Sequence, residues 1–251
     1  MKENLVSIVI PVYNAERFIK DTIESVIAQT YVEWELLLVD DCSTDNSQVI
    51  IESYMKEDSR IKYILLPENS GAAVARNTGI NKAVGRFIAF IDSDDQWSEN
   101  KLETQLRFMN EKQAPFTFTA YKMVNEQGEP LGKRVRVPAS INYNQLLKNT
   151  IIGCSTVVID RKIIGDFQMP LVRKGQDTAT WLMILRTTGA VANGIDEFLT
   201  RYRIVEGSIS SNKIDALKRT WNTYYNIEKL GLIKSSYVFT CYVFNALRKR
   251  L

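Results

Sequence analysis

The chain has 251 residues, 45% of them hydrophobic, which is enough for one α/β core and does not require a second independent domain. Lysine and arginine (32) nearly balance aspartate and glutamate (29), and the resulting charge of +3 is too small to argue for nucleic acid as a partner. Histidine is absent, so acid–base chemistry falls to carboxylates, tyrosine, cysteine or lysine, while Cys42, Cys154 and Cys241 form no C-x-x-C pair and fit a reducing compartment without disulfides or zinc.

Val6 to Val12 reads as a first strand, too short to span a membrane and without a cleavage site. Ile19, Ile23, Val26 and Ile27 then share one face of a helix from about Glu16 to Gln29. The run Trp34 to Asp40 is a strand buried on both faces, and Ser43, Thr44 or Asp45 caps the helix after it. Ile61 to Leu66 follows as a strand, Gly71 to Ala83 as a helix, and Phe87 to Asp92 as a fourth strand. Such alternation predicts a mostly parallel sheet with helices on both faces. Ligands of these sheets bind beyond the strands' carboxyl ends, where Pro11-Val12-Tyr13-Asn14, Asp40-Asp41 and Asp92-Ser93-Asp94-Asp95 should converge.

From Pro115 the pattern is less regular. It gives a strand-like FTFTAYKMV, a turn at Asn125 to Gly128, a basic stretch Lys133 to Arg136 and a strand Ser155 to Ile159. A helix opens near Gln176-Asp177 and runs through Trp181, Leu182 and Leu185, and two more occupy Ile214 to Leu230 and Ser235 to Arg250. No segment has the roughly 20 apolar residues of a membrane span, so the protein is expected in the cytoplasm.

Three carboxylates within Asp92-Ser93-Asp94-Asp95 repel one another, and a bound divalent cation is the natural compensation. Mg2+ or Mn2+ suits it, because hard cations take carboxylate and phosphate oxygens together; the plainer reading is an Asp-rich turn capping a helix at Asn100. In the second acidic turn, Asp40 to Asp45, carboxylates could serve a helix N-terminus or accept hydrogen bonds from a base or ribose, with Tyr13 stacked on the base. The small residues from Asn69 to Gly79 allow either a ligand or a neighbouring strand to approach the backbone, and Arg76 is placed to reach a diphosphate.

Together VSIVIPVYNAERFIKDTIESVIAQTY, WELLLVDDCSTDNS, ENSGAAVARNTGINKAVGRFIAFIDSDD and the tryptophan after it resemble the family 2 glycosyltransferases of the GT-A fold, closely over residues 5 to 110. The resemblance implies an α/β GT-A domain: a mostly parallel nucleotide-sugar-binding half over residues 1–112, a mixed acceptor-binding and catalytic-base half over 113–205, and a C-terminal helical extension over 206–251. It also implies inverting transfer of a sugar from a nucleoside diphosphate, UDP by analogy, to a glycan or lipid-linked acceptor hydroxyl in surface polysaccharide or glycoconjugate synthesis. Carried over by position, Pro11, Tyr13, Asp41 and less so Asp40 would meet the nucleoside. Asp92 and Ser93, with Arg76, would meet the rest of the nucleotide. Asp94, and after it Asp95, would bind the metal, although the D-x-D pattern fits either pair. The family's Glu-Asp pair at a later helix start matches Gln176-Asp177, which makes Asp177 the catalytic base and leaves glutamine in place of the glutamate; a plain helix-start aspartate fits the same residue.

The aromatic tail from Tyr237 to Leu247 with Arg248-Lys249-Arg250 could pack on the core, form an oligomer, or lie on an anionic membrane. The alternative of a non-catalytic GT-A-like protein that binds a nucleotide or a partner is disfavoured by the retained Asp41, Asp92, Asp94, Asp95 and Asp177. A nucleotidyltransferase is disfavoured by Pro11-Val12-Tyr13-Asn14-Ala15-Glu16, where a glycine-rich phosphate loop would stand.

Overall fold

A computed structural model describes residues 1–205 and 213–248. In chain order the elements are β1 (Lys2–Val12), α1 (Ile19–Ile27), β2 (Trp34–Asp40), α2 (Ser47–Glu57), β3 (Ile61–Leu65), α3 (Ala72–Lys82), β4 (Gly85–Phe90), β5 (Gln96–Trp97) and α4 (Lys101–Lys112). Then come β6 (Phe116–Val124), β7 (Pro130–Val135), β8 (Ser140–Ile141), α5 (Tyr143–Lys148), β9 (Val158–Asp160), α6 (Arg161–Ile164), α7 (Gln176–Thr188), β10 (Ala192–Arg203), α8 (Lys213–Asn222) and α9 (Gly231–Arg248).

One mixed sheet carries both halves of the chain, in the order β3-β2-β1-β4-β9-β6-β10-β5, with β7 beside β6 and β8 beside β10. The first four strands are parallel, so β1, β2 and β4 end on the same side. β9 is antiparallel to both β4 and β6, and β10 returns parallel to β6.

The period-2 alternation of a strand explains why β1 and β2 are apolar throughout. Val6, Ile8, Ile10, Leu36 and Leu38 pack with Ile19, Ile23 and Val26 of α1 on one face. Val9 and Leu37 point to the other, into a cluster that holds Ile80 of α3 and Trp181 of α7. Gly79 permits this second layer, since a Cβ there would stand 2.4 Å from Val9 Cγ1. The small-residue stretch therefore serves close helix–sheet packing at Gly79, one of the two roles its sequence allows.

Several boundaries move for identifiable reasons. α1 starts at Ile19 and not at Glu16, because the backbone N–H groups of Ala15 and Glu16 are bonded to Ser47 Oγ (2.8 Å) and Asp45 Oδ2 (2.9 Å) and hold the chain in a turn. That use of Asp45 also displaces the start of α2 to Ser47, whose N–H bonds to Asp45 Oδ1 at 3.0 Å. The expected strand Ser155 to Ile159 is a 3₁₀ turn at Cys154–Thr156 followed by the short β9. α8 continues into a π-type turn at Thr223–Ile227, and α9 begins at Gly231. Lys249 and Arg250 of the expected basic tail lie outside the described residues, as do residues 206–212 of the C-terminal extension. Among the described residues no helix is long and apolar enough to cross a membrane.

Candidate active site

The carboxyl ends of β1 and β2 and the turn after β4 open onto one cleft of about 1020 Å3, closed on its other side by the start of α7 and by α8 and α9. Pro11, Tyr13 and Asp41 line one end of it. Tyr13 is 53% exposed, so its ring is free to meet a flat ligand. Asp41 is buried, and its two oxygens accept the N–H groups of Ser70 (2.6 Å) and Gly71 (2.7 Å). It thereby caps α3 from across the sheet, in place of the side-chain cap that Gly71 cannot supply.

Asp40 is different. Its side chain is buried away from the cleft, accepting the Tyr63 hydroxyl at 2.7 Å and the Ser43 N–H at 2.8 Å. Asp40, expected beside Asp41 at the nucleotide, does not line the cleft: consecutive residues at a strand end face opposite ways, and it is Asp41 that lines it.

Arg76, Asp92, Ser93 and Asp94 form the middle of the cleft. Arg76 projects from α3 and its Nη2 donates to Asp92 Oδ1 at 2.5 Å, so the guanidinium is committed to the acidic turn before any ligand arrives. Asp94 is half-buried, and burial, with Asp92 alongside, pushes its carboxyl up to about 6. Asp95 does not line the cleft. It is 1% exposed, its Oδ1 accepts the Arg203 N–H at 2.9 Å, and burial together with Asp94 and Asp92 pushes it well above the usual carboxylate range. Arg203 fixes the same turn once more, donating to the Asp94 carbonyl at 2.7 Å, and ties it to α1 by donating to Asp21 at 2.9 Å. Asp95 is thus a buried anchor of the turn, and the position facing the cleft is Asp94. The helix-cap alternative for this turn fails too, since Asn100 makes no side-chain cap to α4.

Across the cleft, α7 is docked by Trp181, which packs its fully buried ring against Phe90 (5.9 Å between centroids) and Phe116 (5.4 Å). Asp177 lies one helical turn earlier, on the same face. It lines the cleft within electrostatic reach of Arg76 and Asp92. Burial holds its carboxyl above the usual range, against the opposing pull of the Thr178 N–H and the Arg76 and Arg219 cations. The loop before α7 is tied to α3 by a reciprocal pair, Asn77 Nδ2 to Met169 O (2.9 Å) and Met169 N to Asn77 Oδ1 (2.7 Å). Gln176 also lines the cleft, with its Oε1 buried and unpartnered among the described residues.

Two carboxylates, Asp92 and Asp94, therefore present oxygens to one side of the cleft. Among the described residues no three Asp, Glu, Cys or His side chains converge to hold a metal by themselves. The donor set fits a hard cation that takes its remaining ligands from phosphate oxygens and water, and a carboxyl raised by burial and a like neighbour is what such a cation would relieve.

The sequence reading missed the far wall. Tyr121 of β6, Tyr202 of β10, Arg219 of α8 and Tyr242 of α9 all line the cleft. Tyr121 and Tyr202 face each other at 5.6 Å between centroids. Both stand near strand carboxyl ends, so the rule that found Asp92 could have found them. Arg219 and Tyr242 carry no local signal, because helix packing alone brings them there. Cys154 also lines the cleft, and burial, foremost among its surroundings, keeps it a thiol.

A family model described as Glycosyl transferase family 2 matches residues 7–166. The chain is 50% identical over 247 residues, 98% of each chain, to a Bacillus subtilis (strain 168) protein assigned to teichuronic acid biosynthesis as the glycosyltransferase TuaG. It is 45% identical over 222 residues, 88% of this chain and 86% of the other, to WfgD of Escherichia coli, a UDP-Glc:α-D-GlcNAc-diphosphoundecaprenol β-1,3-glucosyltransferase. Among solved structures, S. aureus TarS 1–349 in complex with UDP-GlcNAc superposes with a TM-score of 0.72 at 20% identity, over 97% of this chain and 72% of that one. The mannosyltransferase PcManGT from Pyrobaculum calidifontis, in complex with GDP-Man and Mn2+, gives a TM-score of 0.69 at 15% identity, over 95% and 72%.

Proposed function

The chain belongs to glycosyl transferase family 2 and is a GT-A glycosyltransferase, and on that footing we propose that it moves a hexose from a UDP-sugar to a hydroxyl of a lipid-linked sugar acceptor, with inversion, in surface polysaccharide synthesis. The observation that carries the reading is the placement of Asp177 opposite Asp92, Asp94 and Arg76 in one cleft. The acceptor and the UDP-glucose donor are argued from WfgD, with which 88% of this chain aligns.

In this reading Tyr13 stacks on the base beside Pro11, and the Asp41 carboxylate, already fixed by α3, meets the nucleoside edge. A divalent cation, Mn2+ or Mg2+, held by Asp94 with Asp92 would supply positive charge at the departing diphosphate. Arg76 holds Asp92 in orientation, and adds its own charge on the same side. Asp177 accepts the proton of the acceptor hydroxyl as that oxygen attacks the anomeric carbon from the face opposite the diphosphate. Its raised pKa suits a base, because proton affinity grows with it.

The acceptor half of the molecule suggests how a lipid-linked substrate arrives. α9 places Tyr242 in the cleft, while Ile233 (89% exposed), Tyr237 and Phe244 stand on its outer side with Lys234 beside them. This outer face would lie on the membrane at the acceptor's depth, so that the sugar enters the cleft and the lipid does not.

The test is Asp177→Asn. Asparagine keeps the shape and the helix-start preference of aspartate but takes no proton. Transfer should fall by about 10²–10⁴-fold, the range for losing a general base, with UDP–Mn2+ affinity near wild type. Transfer within about threefold of wild type would make Asp177 a helix-start residue only and would remove the base from this reading.

A further inference from the structure

The mechanism leaves unused a cationic stretch of the cleft next to Asp177. Arg173, Lys174 and Arg219 all line it. Lys174 is paired with Asp215 at 3.2 Å, but among the described residues neither Arg173 nor Arg219 has a carboxylate partner. Arg219 has been given a fitted bed. Its stem crosses Gly175, where a Cβ would stand 2.8 Å from Arg219 Cδ and 2.9 Å from Cγ. Gly175 adopts φ +80, so the α7 start both requires glycine and opens room for the arginine. The guanidinium is close enough to act on the Asp177 carboxyl, and α7 directs its N-terminal backbone dipoles into the same corner.

We propose that Arg219, with Arg173 on the same wall, binds a phosphate anion carried by the acceptor, so that the enzyme recognises sugar diphosphates and discriminates against neutral glycosides. The assignment rests on Asp177 receiving the acceptor hydroxyl. The donor's diphosphate has Asp94, Asp92 and Arg76 on the strand-end side of the cleft, whereas Arg219 and Arg173 belong to the α7–α8 side, where the acceptor must sit to reach Asp177. A half-buried guanidinium, Arg219, and an exposed one, Arg173, both without a carboxylate partner among the described residues, would be a liability beside a neutral acceptor and are matched by the fork geometry of a diphosphate.

The experiment compares hexyl N-acetylglucosaminyl diphosphate with neutral hexyl N-acetylglucosaminide, using the full chain, wild type and Arg219→Gln. For the diphosphate, KM should rise roughly 10–100-fold, the loss expected for charge-assisted hydrogen bonds, with kcat and donor KM nearly unchanged. The neutral glycoside should be poor with both proteins and indifferent to the change, and Arg219→Lys should restore part of the loss. Hexyl diphosphate, which carries no sugar, should bind the UDP-loaded wild type and not the glutamine variant. This calorimetric arm holds even if neither glycoside is the true acceptor, which separates failure of the anion site from failure of the transfer reading. A rise in donor KM with acceptor KM unchanged would move Arg219 to the donor diphosphate and overturn the proposal, as would equal losses on both acceptors or no loss at all.

Discussion

Asp94→Asn should make the metal-free protein more stable at neutral pH while removing its response to Mn2+. In the folded protein the Asp94 carboxyl is raised from 3.8 to about 6, first by burial and then by Asp92. A carboxyl raised by folding holds its proton more tightly in the native state than in the unfolded chain, so stability is lost as pH rises through the interval between the two values. Below about pH 4 both states are protonated and the group contributes nothing to the difference. Above about pH 6 the full cost is present: each pH unit is worth about 1.4 kcal/mol, so the ceiling is about 3 kcal/mol, lowered by the solvent that reaches this half-buried side chain. Urea unfolding in the presence of a chelator, at pH 4.5 and pH 7.5, measures it. The variant should exceed wild type by about 1–3 kcal/mol at pH 7.5 and by much less at pH 4.5. Saturating Mn2+ should then raise the wild type and leave the variant where it is, since binding to the native state alone stabilises it. A difference of equal size at both pH values, or a variant less stable at pH 7.5, would show that Asp94 carries no strained charge.

Gly79→Ala should destabilise the fold, because the new Cβ would fall 2.4 Å from Val9 Cγ1 in a fully buried layer. Overpacking costs about 1–3 kcal/mol against roughly 1 kcal/mol regained in helix propensity; a thermal midpoint lower by a few degrees with unchanged UDP affinity is expected, and a raised midpoint would refute it. Ile233→Asp with Tyr237→Asp should reduce sedimentation with anionic vesicles and leave transfer to a short-chain soluble acceptor intact, and attraction that remains in wild type should weaken as salt is added. Wild-type protein left in the supernatant at low salt would assign the α9 face to another role.

The strand-end wall of the cleft was legible because its residues occupy strand ends, where a local rule applies. Tyr13, Asp41 and Asp92 follow runs of apolar residues whose length and continuity announce buried parallel strands, and β1, β2 and β4 do end on one cleft. Arg76 was legible as a cation near the acidic turn, but its use was not: the structure spends it on Asp92. Two choices between neighbouring aspartates were beyond the sequence for a shared reason. Neighbouring side chains at a strand end or in the turn beyond it point different ways, so either Asp40 or Asp41, and either Asp94 or Asp95, could face the cleft until a partner is known. Tyr63 from β3 settles the first by taking Asp40, and the Arg203 backbone from β10 settles the second by taking Asp95.

The far wall of the cleft follows no such rule, because its side chains come largely from helices brought together across large sequence distances. Asp177 is placed by Trp181 against Phe90 and Phe116, and Arg219 is seated by Gly175 more than forty residues earlier in the chain. The α7 start thus joins the two tasks proposed for this wall of the cleft. One helical turn of its chain buries the tryptophan that sets its depth and presents the carboxylate to the strand ends, while the glycine before it admits the α8 arginine. With Asp177 as the proposed base and Arg219 as the proposed acceptor contact, a change at Gly175 that kept Asp177 in place would be felt first in which acceptor is held and only then in how fast its proton is removed.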